Sequence, residues 1–232
     1  NIVGGAISPL LANLYLHHVL DEWFAGDVQP RLKGRSFLIR YADDAVMGFS
    51  CAQDARRVLA VLPKRFEKYG LRLHPEKTRL VAFQCPPGRQ NPNGSTPGSG
   101  HGTFDLLGFT HHWGKSQKGQ WVVKRKTASG RFARSVRAIS QWCQLHRHRA
   151  ISEQHRTLSQ KLRGHYAYYG LTGNGKALSR FQSTVTRVWR KWLSRRKRGN
   201  TYPWSHFVRL LERFPLPPAV VVHSVYRSAA RS

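Results

Sequence analysis

Cysteine is scarce in this chain: three residues in 232, Cys51, Cys85 and Cys143, set far apart. That spacing excludes a disulfide framework and a CxxC zinc pattern, and it leads us to expect a reducing, cytoplasmic compartment, bacterial cytoplasm or nucleoid, with an organelle left open. Long apolar runs are missing too. Hydrophobic residues make up 40% of the chain, yet no stretch nears the roughly 18 residues needed to cross a bilayer, so a soluble globular protein is expected. The first residue is Asn1 rather than Met, and the apolar stretch from Ile7 to Leu20 has neither a basic leader nor a small-residue cleavage site. A secretory signal is therefore not expected, and the chain reads as cut from something longer. The most telling shortage is of acids: 11 Asp and Glu stand against 39 Lys and Arg, a formal charge of +28. A surface so basic repels itself, which makes a polyanion, nucleic acid first, the expected partner.

The acids that do occur are unevenly placed. Residues 1–105 carry 13 Lys and Arg against 9 acids, a net +4, whereas residues 106–232 carry 26 against Glu153 and Glu212 alone, a net +24. Such asymmetry points to two jobs in two domains, with any metal chemistry confined to the first.

Periodicity agrees with that division. Ser8 and Pro9 read as an N-cap and a first helical residue, opening a helix that ends near Gly26. The run Phe37 to Ser50 (FLIRYADDAVMGFS) reads as a β-hairpin with an acidic turn, and residues 52–69 as an amphipathic helix closed by Gly70. Two short extended runs are expected on either side of His74-Pro75-Glu76, then a strand pair over Thr103 to His112 and Gln120 to Lys124. Between them, residues 86–102 are rich in Pro, Gly and Ser and read as a surface loop. From Thr127 onward the pattern becomes helical and basic: Arg131 to Arg149, Glu153 to Tyr169, Gly175 to Arg198 and Trp204 to Phe214. The fold class expected is α+β, an antiparallel sheet with helices over residues 1–126, followed by an all-α bundle over 127–232.

Asp43 and Asp44 are the residues most suited to chemistry. Two divalent ions roughly 3.5 to 4 Å apart can drive phosphoryl transfer when carboxylates on neighbouring strands or turns hold them. Adjacent acids in a tight turn are also common as plain solvated turn residues, and the residues alone leave both readings open.

The order of blocks around that turn resembles the reverse transcriptases of group II introns. Gly4-Gly5-Ala6-Ile7-Ser8-Pro9 leads into Leu10-Leu11-Ala12-Asn13-Leu14-Tyr15-Leu16. There follow Tyr41-Ala42-Asp43-Asp44, Gly70-Leu71-Arg72-Leu73 with Glu76-Lys77-Thr78, and Leu107-Gly108-Phe109. Further on, Leu162-Arg163-Gly164-His165-Tyr166-Ala167-Tyr168-Tyr169-Gly170 and Arg213-Phe214-Pro215-Leu216-Pro217 resemble the maturase thumb of that family. The resemblance implies the second half of a polymerase palm followed by a helical thumb, with Asp43 and Asp44 as two of three aspartates that hold Mg²⁺. It implies Tyr41, Ala42, Gly4 and Gly5 near nucleotide or primer, and Lys77 near the triphosphate, where an ordinary exposed lysine and a plain loop at Gly4-Gly5 are the competing readings. Ile2-Val3 stands where the family has Pro-Gln. The third aspartate and the fingers are expected upstream, so the chain by itself is expected not to polymerise.

Partners implied by the same resemblance are group II intron RNA, a DNA target or primer and, in an intact protein, deoxynucleoside triphosphates, with a homodimer left open. The expected RNA-facing set is Lys161, Arg163, His165, Tyr166, Tyr169, Arg187, Arg190, Lys191, Arg195, Arg196, Lys197 and Arg198, cations for phosphates and rings for unpaired bases. Trp189 and Trp192, three apart, are expected in the core. The rival to an RNA-directed DNA polymerase and maturase is an RNA-binding splicing factor or retroelement relic that no longer polymerises.

Overall fold

The computed structural model describes residues 7–86, 102–196 and 202–224. It has the α+β composition expected and divides into two compact units, residues 1–107 and 108–232.

In the first unit a single helical run carries the chain away from the N-terminal side. It begins as α1, Ser8–Leu16, widens into π-helical turns at His17–Glu22 and Phe24–Val28, and tightens into a 3₁₀ turn at Gln29–Arg31. The run therefore passes the expected end at Gly26. Pro30 is tolerated because it falls in the first positions of the 3₁₀ turn, where its missing N–H has no helical partner to lose. Ser8 is already helical, and Ile7 occupies the cap with no side-chain hydrogen bond. The widened segment buries Val19, Leu20 and Phe24.

Strands β1, Ser36–Tyr41, and β2, Asp44–Phe49, pair antiparallel with Tyr41 opposite Asp44, so only Ala42 and Asp43 form the turn. Phe37 lies opposite Gly48, whose lack of a Cβ leaves room for the phenyl ring across the strand pair. Helix α2, Ala52–Lys68, places Ala55, Val58 and Leu62 in the core. Gly70 follows at φ +67, the left-handed conformation that glycine supplies most cheaply after a helix. The two extended runs expected on either side of Pro75 join no sheet: residues 71–86 form an irregular segment with a turn, in which Lys77 and Thr78 donate N–H bonds to the His74 carbonyl at 3.2 and 3.0 Å. The strand expected over Thr103 to His112 is split. Leu107 and Gly108 adopt φ +50 and +77, which ends β3, Phe104–Leu106, before β4, Phe109–Lys115, begins.

In the second unit β4 pairs antiparallel with β5, Trp121–Thr127, from Phe109 opposite Thr127 to Lys115 opposite Trp121. Among the described residues four helices follow: α3, Ser129–Leu145; α4, Ile151–Tyr169; α5, Gly175–Ser194; and α6, Trp204–Arg213. Their apolar stripes meet in one core built from Ile139, Leu158, Leu162, Leu178, Phe181, Val185, Trp189 and Phe207 among others. Two buried polar side chains, Gln154 and Asn174, are matched. The indole N–H of Trp189 donates to Gln154 Oε1 at 3.0 Å, and Gln154 Nε2 donates to the carbonyls of Arg147 and Arg149 at 3.2 and 2.9 Å. Asn174 accepts from the Thr127 N–H at 2.9 Å and donates to Thr127 Oγ1 and the Tyr169 carbonyl, fixing the end of β5 to the turn between α4 and α5. No described helix is long and apolar enough to cross a membrane.

Candidate active site and nucleic-acid interface

The acidic turn is held from behind. Arg40, the penultimate residue of β1, reaches the helical run, where Nε donates to Asp21 Oδ1 at 2.8 Å and Nη2 to Asp21 Oδ2 at 2.7 Å. Its Nη1 donates to Asn13 Oδ1 and to the Ala42 carbonyl, both at 3.0 Å. One guanidinium thus fastens the turn's own backbone to two positions on the helix. The bidentate geometry is the strong form of a carboxylate–guanidinium contact. Hydrogen bonding to Arg40 holds the Asp21 carboxyl below its usual range, partly opposed by desolvation, and the same contact raises the Arg40 pKa. Ala42 itself sits at φ +53, a conformation costly for a residue with a Cβ.

This clamp leaves Asp43 and Asp44 exposed, with Tyr41 beside them 67% exposed. Asp43 lies in the turn and Asp44 opens β2. Hard oxygen donors of this kind suit Mg²⁺, which is commonly bound by one or two protein carboxylates with substrate phosphates and water completing the shell. Among the described residues no group of three His, Cys, Asp or Glu side chains comes together as a metal site. The donor set is thus compatible with the ion and could supply part of a coordination sphere. Lys77 is exposed on the turn after His74, and Gly4 and Gly5 lie outside the described residues.

Two structural carboxylates went unnoticed in the sequence. Asp21 carries the Arg40 clamp. Asp54, almost wholly buried in the first turn of α2, accepts the backbone N–H groups of Lys33 and Gly34 at 3.0 and 2.9 Å, holding the loop that leads into β1. Its position three residues after the extended Cys51 is the one signal that could have marked it, because acids favour a helix's first turn.

The expected RNA-facing residues differ in placement. Lys161, Arg163, Arg187, Lys191 and Arg195 are exposed on α4, on α5 and just after it. The Arg195 guanidinium lies 4.9 Å from the Trp192 ring and that of Arg190, half-buried, 4.9 Å from Trp204, both within cation–π distance. Arg196 is occupied within the fold. It donates to the carbonyls of Arg147 and Arg149, closing the loop after α3, and burial lowers its pKa. His165 and Tyr166 require a correction, since both are buried. His165 stacks on Phe181 with centroids 3.7 Å apart, and burial pushes its pKa down to about 4. Tyr166 donates to the Pro217 carbonyl at 3.2 Å, with burial pushing its pKa up to about 12. Helical spacing could not separate these inward positions from their polar neighbours, because His and Tyr occur on both faces. Tyr169 is half-buried, and Lys197 and Arg198 lie outside the described residues.

Trp189 is fully buried, while Trp192 is partly buried with its indole N–H on Ser140 Oγ at 3.0 Å.

Residues 2–111 match the family model for reverse transcriptase (RNA-dependent DNA polymerase). The matched stretch contains Asp43, Asp44 and Lys77, with β1, β2 and α2, and runs into the start of β4. Over these residues the chain is similar to that family. No curated protein matches the chain.

Proposed function

We propose that the chain is part of an RNA-directed DNA polymerase and maturase of the group II intron class, in which residues 1–126 contribute palm and residues 127–232 a thumb that binds intron RNA and assists its splicing. The observation that carries the polymerase half is the two-residue acidic turn of a reverse-transcriptase-like segment, presented to solvent and clamped through its own backbone. Asp43 and Asp44 would hold Mg²⁺ together with substrate phosphates, and the ion when bound would neutralise charge on the transferring phosphoryl group. Arg40 fixes where those carboxylates stand. Tyr41 presents an exposed ring alongside them, and Lys77 supplies a cation for the triphosphate. The thumb half rests on the second unit's +24 and on Leu162 to Gly170 with Arg213 to Pro217.

A rival reading is an RNA-binding splicing factor that does not polymerise, for which the basic second unit alone would suffice. The discriminating experiment has two arms. Primer extension on an RNA template with Mg²⁺ should give no incorporation with this chain alone, and detectable incorporation would overturn that expectation. Binding to group II intron RNA against an unrelated structured RNA of equal length should favour the intron near physiological salt. Equal binding that falls steeply together with salt would reduce the maturase reading to nonspecific charge.

A further inference from the structure

The second unit holds a cleft of about 540 Å³, within the range of small-ligand sites. One wall is α4, which presents His155, Ser159, Arg163 and Ala167 at four-residue intervals along a single helical face. The other wall is the chain after α6, which has no regular structure until a parallel bridge joins His223 to Leu171. Its Pro218, Val220 and Val222 line the cleft, every second residue, as an extended segment presents them.

This second wall is anchored at both ends. His155 Nε2 donates to the Pro215 carbonyl at 2.8 Å, and Tyr166 Oη and Gln182 Nε2 each donate to the Pro217 carbonyl at 3.2 Å. Further on, the N–H groups of Val222 and His223 both donate to the Gly170 carbonyl at 2.8 Å. Glycine is required at that crossing, because a Cβ on residue 170 would stand 3.0 Å from the Val222 nitrogen and 3.1 Å from the Val220 carbonyl oxygen. Between its anchors the wall is apolar and open, with Val220 49% and Val222 55% exposed. Among the described residues that line the cleft, Arg163 is the one formally charged side chain. It is exposed and forms no ion pair among the described residues. Neither Glu153 nor Glu212 is a lining residue.

We propose that this cleft receives one unpaired nucleotide of single-stranded RNA, its base lying between the α4 face and the valine wall and its phosphate meeting Arg163. The two walls select that occupant together. An apolar peptide segment would leave the guanidinium unanswered, and a bare polyphosphate would leave the valines in water. A nucleic-acid strand carries a base beside every phosphate, and the net +24 of residues 106–232 attracts such a polyanion. A duplex keeps its bases paired and stacked, so the cleft suits a single strand.

This inference rests on the RNA-binding reading, and its test separates the two. The full chain would be titrated near physiological salt with an oligouridylate of about 12 nucleotides, within the range of single-strand site sizes, and with a strand of the same length that lacks its bases. The oligouridylate should bind roughly tenfold tighter. Ala167→Leu extends an exposed helical side chain into the cleft and should erase that preference while leaving the abasic strand within about twofold. Arg163→Gln should lower the salt slope of the oligouridylate by about 0.7, the share of one phosphate on a single strand. Photocrosslinking of a strand bearing 4-thiouridine, which needs no variant, should label peptides from residues 155–167 or 215–222. Equal affinity for the two strands, a preference that survives Ala167→Leu in a folded chain, or labelling confined to other peptides overturns the cleft as a nucleotide site and leaves RNA binding standing. A peptide of alternating Asp and Leu that binds more tightly than the oligouridylate, and loses that binding in Ala167→Leu, overturns it in favour of a protein partner. Failure of the unsubstituted chain to bind either strand overturns both readings.

Discussion

The two units spend their apolar residues differently. In the second, a continuous core runs from Ile139 on α3 to Phe207 on α6, and its buried polar groups at Gln154 and Asn174 are answered by neighbours. The first buries Val19, Leu20, Phe24, Ala55, Val58 and Leu62, yet leaves Leu10, Leu11 and Leu14 on α1 and Phe37, Ile39 and Tyr41 on β1 more than 50% exposed. A hairpin of two strands with one helical run has few surfaces to close around, whereas four helices enclose their own stripes. The difference teaches that charge and order go together here in an unexpected way: the unit with the larger self-repulsion is the better packed. Packing at the centre of the bundle has to outweigh the repulsion at its rim.

The sharpest way to break that comparison is to hollow out the better core. Trp189→Ala removes a fully buried ring and its bond to Gln154, and should cost the second unit about 3–5 kcal/mol. Hydrogen exchange read peptide by peptide would show lost protection across α3, α4 and α5 while α2 keeps its own. Equal loss in α2 would mean that the two units do not unfold separately.

Acid should distinguish the units next. His165 has a folded pKa of about 4 against an ordinary value of 6.5, because burial disfavours its charged form. The unfolded chain therefore binds a proton that the folded one refuses between those two pH values. Stability from this group is complete above about pH 6.5 and lost progressively toward pH 4, on the order of 2 kcal/mol after allowing for solvent screening. Asp21 acts in the same direction at lower pH: its lowered pKa contributes stability above the ordinary carboxylate range, lost only as pH falls through its depressed value. Urea midpoints measured from pH 7 to 4 should drop for the second unit first, and His165→Phe should flatten that slope. An unchanged slope in the variant would assign the acid sensitivity elsewhere.

Much of this arrangement could be read from residue order. The hairpin with Asp43 in its turn and Asp44 at the start of the second strand, the helix closed by Gly70, and the four basic helices all have local causes: alternation, a left-handed glycine, and a 3.6-residue stripe. Family resemblance supplied the polymerase expectation, and the match over residues 2–111 supports it at that level. What escaped were features set by distant partners. Arg40 on a strand looks like one more surface cation until Asp21, nineteen residues earlier, is brought against it. His165 and Tyr166 look like RNA contacts until Phe181 and Pro217 close over them. The runs around Pro75 have strand-like composition but find no partner strand among the described residues, and a sheet needs the partner as much as the propensity.

Arg40 offers a smaller test, confined to the less enclosed unit. Arg40→Gln removes the bidentate contact with Asp21 and the bond to the Ala42 carbonyl, and should destabilise the first unit by about 1–2 kcal/mol, since both partners are partly solvated. Exchange at the β1–β2 amides would rise, whereas the β4–β5 hairpin, which lacks this clamp, would hold. No change at the first hairpin would show that strand pairing alone maintains the turn.

The smallest effect concerns Ala42, and it asks whether the acidic turn is held against its own backbone preference. At φ +53 an alanine is in a region that costs it about 1 kcal/mol and costs glycine almost nothing, while glycine surrenders roughly 0.5–1 kcal/mol more chain entropy on folding. Ala42→Gly should therefore change the first unit's stability by only a few tenths of a kcal/mol. The informative readout is order: with the Cβ gone, more φ and ψ values open to the turn, and amide exchange at Asp43 and Asp44 should quicken even where the melting temperature stays put. Faster exchange with unchanged stability would mean that the Cβ of Ala42 and the grip of Arg40 together aim the two carboxylates; exchange unchanged by the substitution would leave Arg40 as the sole positioning residue.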